Sequence, residues 1–136
     1  MANEPVLEQP KSYAELRSEA AHAEAEKLGL VVIVPKSNQL FIDIDTESQM
    51  SHFDRCFPIF LKRHACRKVT RPSPSGGRFH FHIVVTLLEE DVDARTRVLY
   101  QACLGSDPVR EVLSLQRIEL GDTTPTLFFE KPENLQ

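Results

Sequence analysis

Two carboxylates and two imidazoles are the residues of this chain best suited to chemistry. Asp43 and Asp45 stand two residues apart in LFIDIDT, and His80 and His82 share that spacing in RFHFHIVV. A strand projects residues i and i+2 from one face, so each pair stands side by side, about 7 Å apart along its strand. Like charges held together cost stability unless something compensates. A divalent cation would. Carboxylate oxygens suit Mg²⁺ or Mn²⁺, and an imidazole shifts the preference toward Mn²⁺ or Zn²⁺. Such an ion is a Lewis acid toward phosphate oxygens. The plainer alternative is a solvated network of acids and imidazoles, since ion-pair networks form similar clusters.

The elements that must position these residues follow from periodicity. Residues 1–11 are polar with two prolines and read as a flexible tail, leaving 12–136 as one α+β domain. Ser12 and Glu15 have capping-box spacing ahead of an Ala- and Glu-rich helix that Gly29 can end. The apolar run Leu30–Val34 reads as a buried strand, and PKSNQ as a turn that could join it in a hairpin to a strand over Leu40–Asp45. Thr46 and Gln49 open a helix bearing Met50, Phe53, Phe57, Phe60 and Leu61, which Pro58 should kink or split. ACRKVTR is a weak strand and PSPSGG a loop; RFHFHIVVTLL is the clearest strand. A helix ending at Gly105, a second capped by Ser106 or Asp107 with Pro108 in its first turn, and a short strand in PTLFFE complete the chain.

From Leu40 onward the order is that of a split βαβ, ferredoxin-like (RRM-like) core, here with an N-terminal helix and strand extension. In that fold the strands carrying Asp43 and His82 are neighbours, helices cover one face and the other is open. Leu40, Ile42 and Ile44, with Phe79, Phe81, Ile83 and Val85, must face the helices. Asp43, Asp45, His80 and His82 are then brought together on the far face, with Asp43 and His82 within about 10 Å.

Composition narrows the classes. A net charge of -4 offers no global basic footprint for nucleic acid. Cys56, Cys66 and Cys103 are an odd number without CxxC and read as reduced thiols. The spacing of Cys56, His64 and Cys66 is not that of a zinc finger. No apolar run approaches about 18 residues, and the first residues lack a secretory pattern, so a cytoplasmic protein without membrane partners is expected.

The loop RPSPSGGRFH strengthens the case for phosphate. Ser73, Ser75, Gly76 and Gly77 can offer hydroxyls and N–H groups to an anion, flanked by Arg71 and Arg78. At this point FIDID resembles the hydrophobic-Asp-hydrophobic-Asp motif of the archaeo-eukaryotic primase, or primase-polymerase, superfamily. SPSGGRFHFHIVV resembles that family's Ser-x-His motif, and YQACLGSDPVREVLSLQRIELGDTTPTLFFE resembles small phage and prophage proteins with both motifs. The resemblance spans roughly Leu40 to Glu130. It implies a metal held by Asp43 and Asp45, with catalysis by Asp43, Asp45 and His82. It implies nucleoside triphosphate bound by Ser73, Ser75, Arg78 and His82, with His80 as second choice. It further implies Mg²⁺ or Mn²⁺, DNA or RNA, and other replication proteins as partners. The family's third acid falls on Glu130, with Glu119 and Asp122 as rivals. The chain lacks room for a full primase's additional subdomain, which points to a minimal, accessory or degenerate member.

Two other classes use the same residues. HFH followed by IVV also fits the His-hydrophobic-His motif of rolling-circle replication nucleases, with Tyr100 as the candidate nucleophile. Tyr100 sits in VLYQACL among apolar residues, where core packing suits it better. A non-catalytic RNA-recognition-like module would read bases on the same strands, but acids there repel a phosphate backbone.

Overall fold

The computed structural model describes residues 9–135, so part of the expected tail and Gln136 lie outside it. Helix α1 (Tyr13–Lys27) begins where the Glu15 N–H donates to Ser12 Oγ at 3.1 Å, and it buries Ala21 and Ala25. β1 (Val31–Ile33) and β2 (Gln39–Ile44) follow. Thr46 and Gln49 close a reciprocal capping box on α2 (Glu47–Arg63). Pro58 lies inside α2, yet the helix runs on. The expected split does not occur, because Phe53, Phe57 and Phe60 anchor both sides of the proline to the core. β3 (Cys66–Pro72), β4 (Phe81–Leu87), α3 (Ala94–Cys103), α4 (Pro108–Glu119) and β5 (Phe128–Glu130) complete the regular elements before a 3-10 turn at Pro132–Leu135.

The architecture is α+β, with four helices and two small antiparallel sheets among the described residues. The larger sheet has the order β2-β4-β3, and its register sets Asp43 opposite His82. Period-two alternation sorts its faces as the sequence requires. Leu40, Ile42 and Ile44 of β2 and Ile83, Val85 and Leu87 of β4 join Phe53 of α2 and Leu104 in a core with essentially no exposure. Each such side chain contributes roughly 1.5–3 kcal/mol on burial. No helix of the described residues is long and apolar enough to cross a membrane. Cys56, Cys66 and Cys103 are free thiols.

Three expectations need correction. β1 forms no hairpin with β2; it pairs with β5, Val31 opposite Glu130 and Ile33 opposite Phe128. β4 begins at Phe81, so Arg78, Phe79 and His80 belong to the preceding loop. The face opposite the helices is not open either. β5 lies over it and stacks Phe128 on Phe41, with ring centroids 4.5 Å apart, leaving Phe41 buried.

One physical reason explains why neither β1 nor β5 joins the larger sheet beside β2. The outer edge of β2 is already occupied. The Phe41 N–H donates to Gln101 Oε1 at 2.8 Å, and the Phe41 carbonyl accepts from Arg110 at 2.6 Å. The Asp43 N–H donates to Ser106 Oγ at 2.9 Å, and its carbonyl accepts from the Asp107 N–H at 2.8 Å. The backbone groups another strand would use are satisfied by the α3–α4 corner.

Candidate functional site

That corner also builds the site. The bond from the Asp107 N–H to the Asp43 carbonyl draws the start of α4 against β2. Asp107 caps α4 by accepting from the Val109 N–H at 3.2 Å. Asp43, Asp45 and Asp107 then each offer a carboxylate oxygen, all three within 4.8 Å of one another. Such a cluster could hold a metal ion, and three hard oxygen donors suit Mg²⁺ or Mn²⁺. Burial is the main cause that raises the Asp43 pKa; Asp45 and Asp107 add to it, while Arg110 and His82 oppose it.

Gly105 makes the corner possible. It adopts φ +91°, and a Cβ there would stand 3.0 Å from both the Gln49 carbonyl oxygen and the His52 ring. Beneath the corner, Gln101 is fully buried. Its amide nitrogen donates to Glu111 Oε1 at 2.9 Å and Thr126 Oγ1 at 3.3 Å. Burial raises the pKa of Glu111, with Arg110, Ser106 and Gln101 opposing.

His82 is held on three sides. Its Nδ1 lies 2.6 Å from Glu130 Oε1, its Nε2 lies 3.8 Å from Asp43 Oδ1, and its ring stacks on Phe128 at 3.8 Å with the planes 2° apart. The guanidinium of Arg110 stands 5.0 Å from the Phe128 ring centre. His80, in the loop, places Nδ1 3.7 Å from Asp45 Oδ1 and 3.4 Å from Ser75 Oγ. Ser73 Oγ is 2.9 Å from Ser75 Oγ, and the Ser73 N–H donates to the His80 carbonyl, closing the loop. Gly77 (φ +104°) packs so closely that a Cβ would meet the His80 ring at 2.8 Å.

A cavity of about 590 Å³ opens onto this constellation. Asp43, Asp45, His82, Ser73, Ser75 and Arg110 line its polar part; Leu30, Leu127 and Phe129 line an apolar part, with Arg117 and Lys131 also on the wall. The volume is in the range of small-molecule sites.

The sequence candidates divide accordingly. Asp43, Asp45, His80, His82, Ser73 and Ser75 come together. Arg78 does not line the cavity; it stands over the Phe79 ring at 5.3 Å. Glu130 bonds to His82, and the third acid beside Asp43 and Asp45 is Asp107. Of the rival acids, Glu119 pairs with Arg95, and Asp122 accepts from the Thr124 N–H at 3.0 Å. Tyr100 packs against Phe60 and His64 on the helical core. Cys56 and His64 turn to His52 and Glu90. Burial, with Glu90 nearby, pushes the Cys66 thiol up.

Asp107, Arg110, Gln101 and Ser106 carry much of the site without having been singled out as ligands. Ser106 and Asp107 signal only a helix cap, and Gln101 and Arg110 only polarity within their helices, such as a glutamine within VLYQACL. Comparison of the chain with protein-family models, with curated proteins and with solved structures gives no match.

Proposed function

We propose that this chain binds a nucleoside triphosphate with Mg²⁺ or Mn²⁺ in the cavity beside Asp43, as a small primase-polymerase-like protein in which β2, β4 and β3 stand as three strands of a ferredoxin-like core while β5 lies over their face. The observation that supports this reading best is the cluster of three aspartates, two of which, Asp43 and Asp45, stand on a cavity wall that also carries His82, two loop serines and Arg110. Asp43, Asp45 and Asp107 would hold the metal, which when bound neutralises phosphate charge. The chain's own groups would do the rest. Ser73, Ser75 and His82 grip phosphate oxygens, and Arg110 favours the charged form of Asp43 against the burial that raises its pKa. The apolar wall of Leu30, Leu127 and Phe129 suits a base or sugar.

Strand synthesis needs a positioned 3′-hydroxyl as well, and a net charge of -4 gives the chain no overall basic character to hold a template. The role is therefore nucleotide binding, with transfer dependent on a replication partner that supplies the groove. Binding of a radiolabelled nucleoside triphosphate tests this. It is expected to require divalent metal and to fall with His82→Ala, while extension of a primed template by the isolated chain stays weak. Robust unaided extension would refute the accessory role. Metal-dependent nicking of single-stranded DNA with an adduct on Tyr100 would establish a nuclease instead.

A further inference from the structure

We propose that Glu130 is the positioning residue of His82: it accepts the Nδ1 proton, so that Nε2 is the nitrogen presented to a bound phosphate beside Asp43. The idea rests on the reading of His82 as a phosphate-gripping group, and its geometry comes from β5 alone. Phe128 and Glu130 are two residues apart on that strand and so project from the same face. Phe128 fixes the plane of the imidazole by stacking at 3.8 Å. Glu130 fixes its rotation within that plane through the 2.6 Å bond to Nδ1. With both constraints met, Nε2 lies 3.8 Å from Asp43 Oδ1, on the cavity wall.

The burial of Glu130 argues against a purely architectural carboxylate. Its side chain is 1% exposed, Oε2 has no hydrogen-bond partner among the described residues, and His82 Nδ1 is the one partner of Oε1. A buried carboxylate so sparsely bonded is costly unless a positive group faces it. When His82 grips phosphate through Nε2–H, Glu130 supplies the balancing charge on the opposite side of the ring. Carboxylates that orient a site histidine through its second nitrogen play this part in other settings. Glu130 would thus act through His82 and contact neither metal nor nucleotide.

The test uses the full chain in wild type, Glu130→Gln and Glu130→Ala, with Mn²⁺ alone as one probe and tripolyphosphate in the presence of Mn²⁺ as the other. Glutamine can still accept from Nδ1–H; alanine cannot. Glu130→Ala is expected to weaken tripolyphosphate binding about tenfold or more, the usual loss when a histidine's orienting partner is removed. Glu130→Gln keeps the acceptor and loses the balancing charge, so it is expected to restore only part of it, and Mn²⁺ binding should be the same in all three. Ring-nitrogen NMR shifts of His82 should show Nδ1 protonated in wild type and Glu130→Gln. This readout also serves if Glu130→Ala fails to fold. A bare Nδ1 in the wild type overturns the proposal. So does a Glu130→Gln protein as weak as Glu130→Ala, or a loss of Mn²⁺ binding matching that of Asp43→Asn, which would make Glu130 a ligand. A wild type that binds no tripolyphosphate overturns the nucleotide reading instead, and the NMR shifts then still decide whether Glu130 orients His82.

Discussion

Asp43 shows the electrostatic strain of the site at the residue scale. It is partly buried, with Asp45 and Asp107 beside it and Arg110 and His82 in partial compensation. Its pKa is raised in the fold, so its contribution to stability is fully present below the ordinary carboxylate range and is lost as pH rises through the raised value. Glu111 is raised in the same sense. Without metal, Asp43→Asn is therefore expected to unfold at a higher temperature than wild type at about pH 7, and the gap should close on acidification to about pH 3. Thermal unfolding in the presence of a chelator reads both. A wild type that gains nothing on acidification relative to Asp43→Asn would mean the carboxylates do not repel.

At the scale of elements, the α3–α4 corner decides the site, because it satisfies the edge of β2 and delivers Asp107. Two substitutions probe it. Gln101→Ala removes three hydrogen bonds from a fully buried position, strands the Phe41 N–H and takes one donor from Glu111. It should cost about 2–4 kcal/mol, measured by denaturant unfolding. Gly105→Ala forces a Cβ onto φ +91° against the Gln49 carbonyl and should cost at least about 1 kcal/mol. That variant should also weaken Mn²⁺ binding, since it displaces Asp107. A Gly105→Ala protein of wild-type stability and metal affinity would show that the corner does not set the site.

What was legible in the sequence follows the range of the forces. Capping boxes at Ser12 and Thr46 and the alternation in LFIDID and FHIVV are local signals, and the elements form where those signals lie. The register of Asp43 against His82 follows from two apolar faces sharing one core. The pairing of β1 with β5 has no local signal. It depends on Gln101, Ser106 and Arg110 having taken the edge of β2, a contact across roughly sixty residues of chain. Asp107 was visible only as a helix cap, because nothing in SDPV records that its N–H would bond to Asp43.

The whole molecule is a small chain whose second sheet closes the face that carries the acids, leaving a cavity of about 590 Å³ in place of an open platform. A cavity of that volume has room for a single small molecule, and β5 covers part of the sheet face that an open platform would present. The central claim is that three aspartates hold a divalent ion there. Its most direct measurement is titration of Mn²⁺ into the metal-free chain, following loss of the free-ion electron paramagnetic resonance signal, in wild type, Asp43→Asn/Asp45→Asn and Asp107→Asn. The expected result is saturable binding by wild type, at least about tenfold weaker in Asp107→Asn and weaker still in the double variant, with Mn²⁺ raising the melting temperature of wild type most. Equal Mn²⁺ binding by all three proteins, or none by wild type, would contradict it.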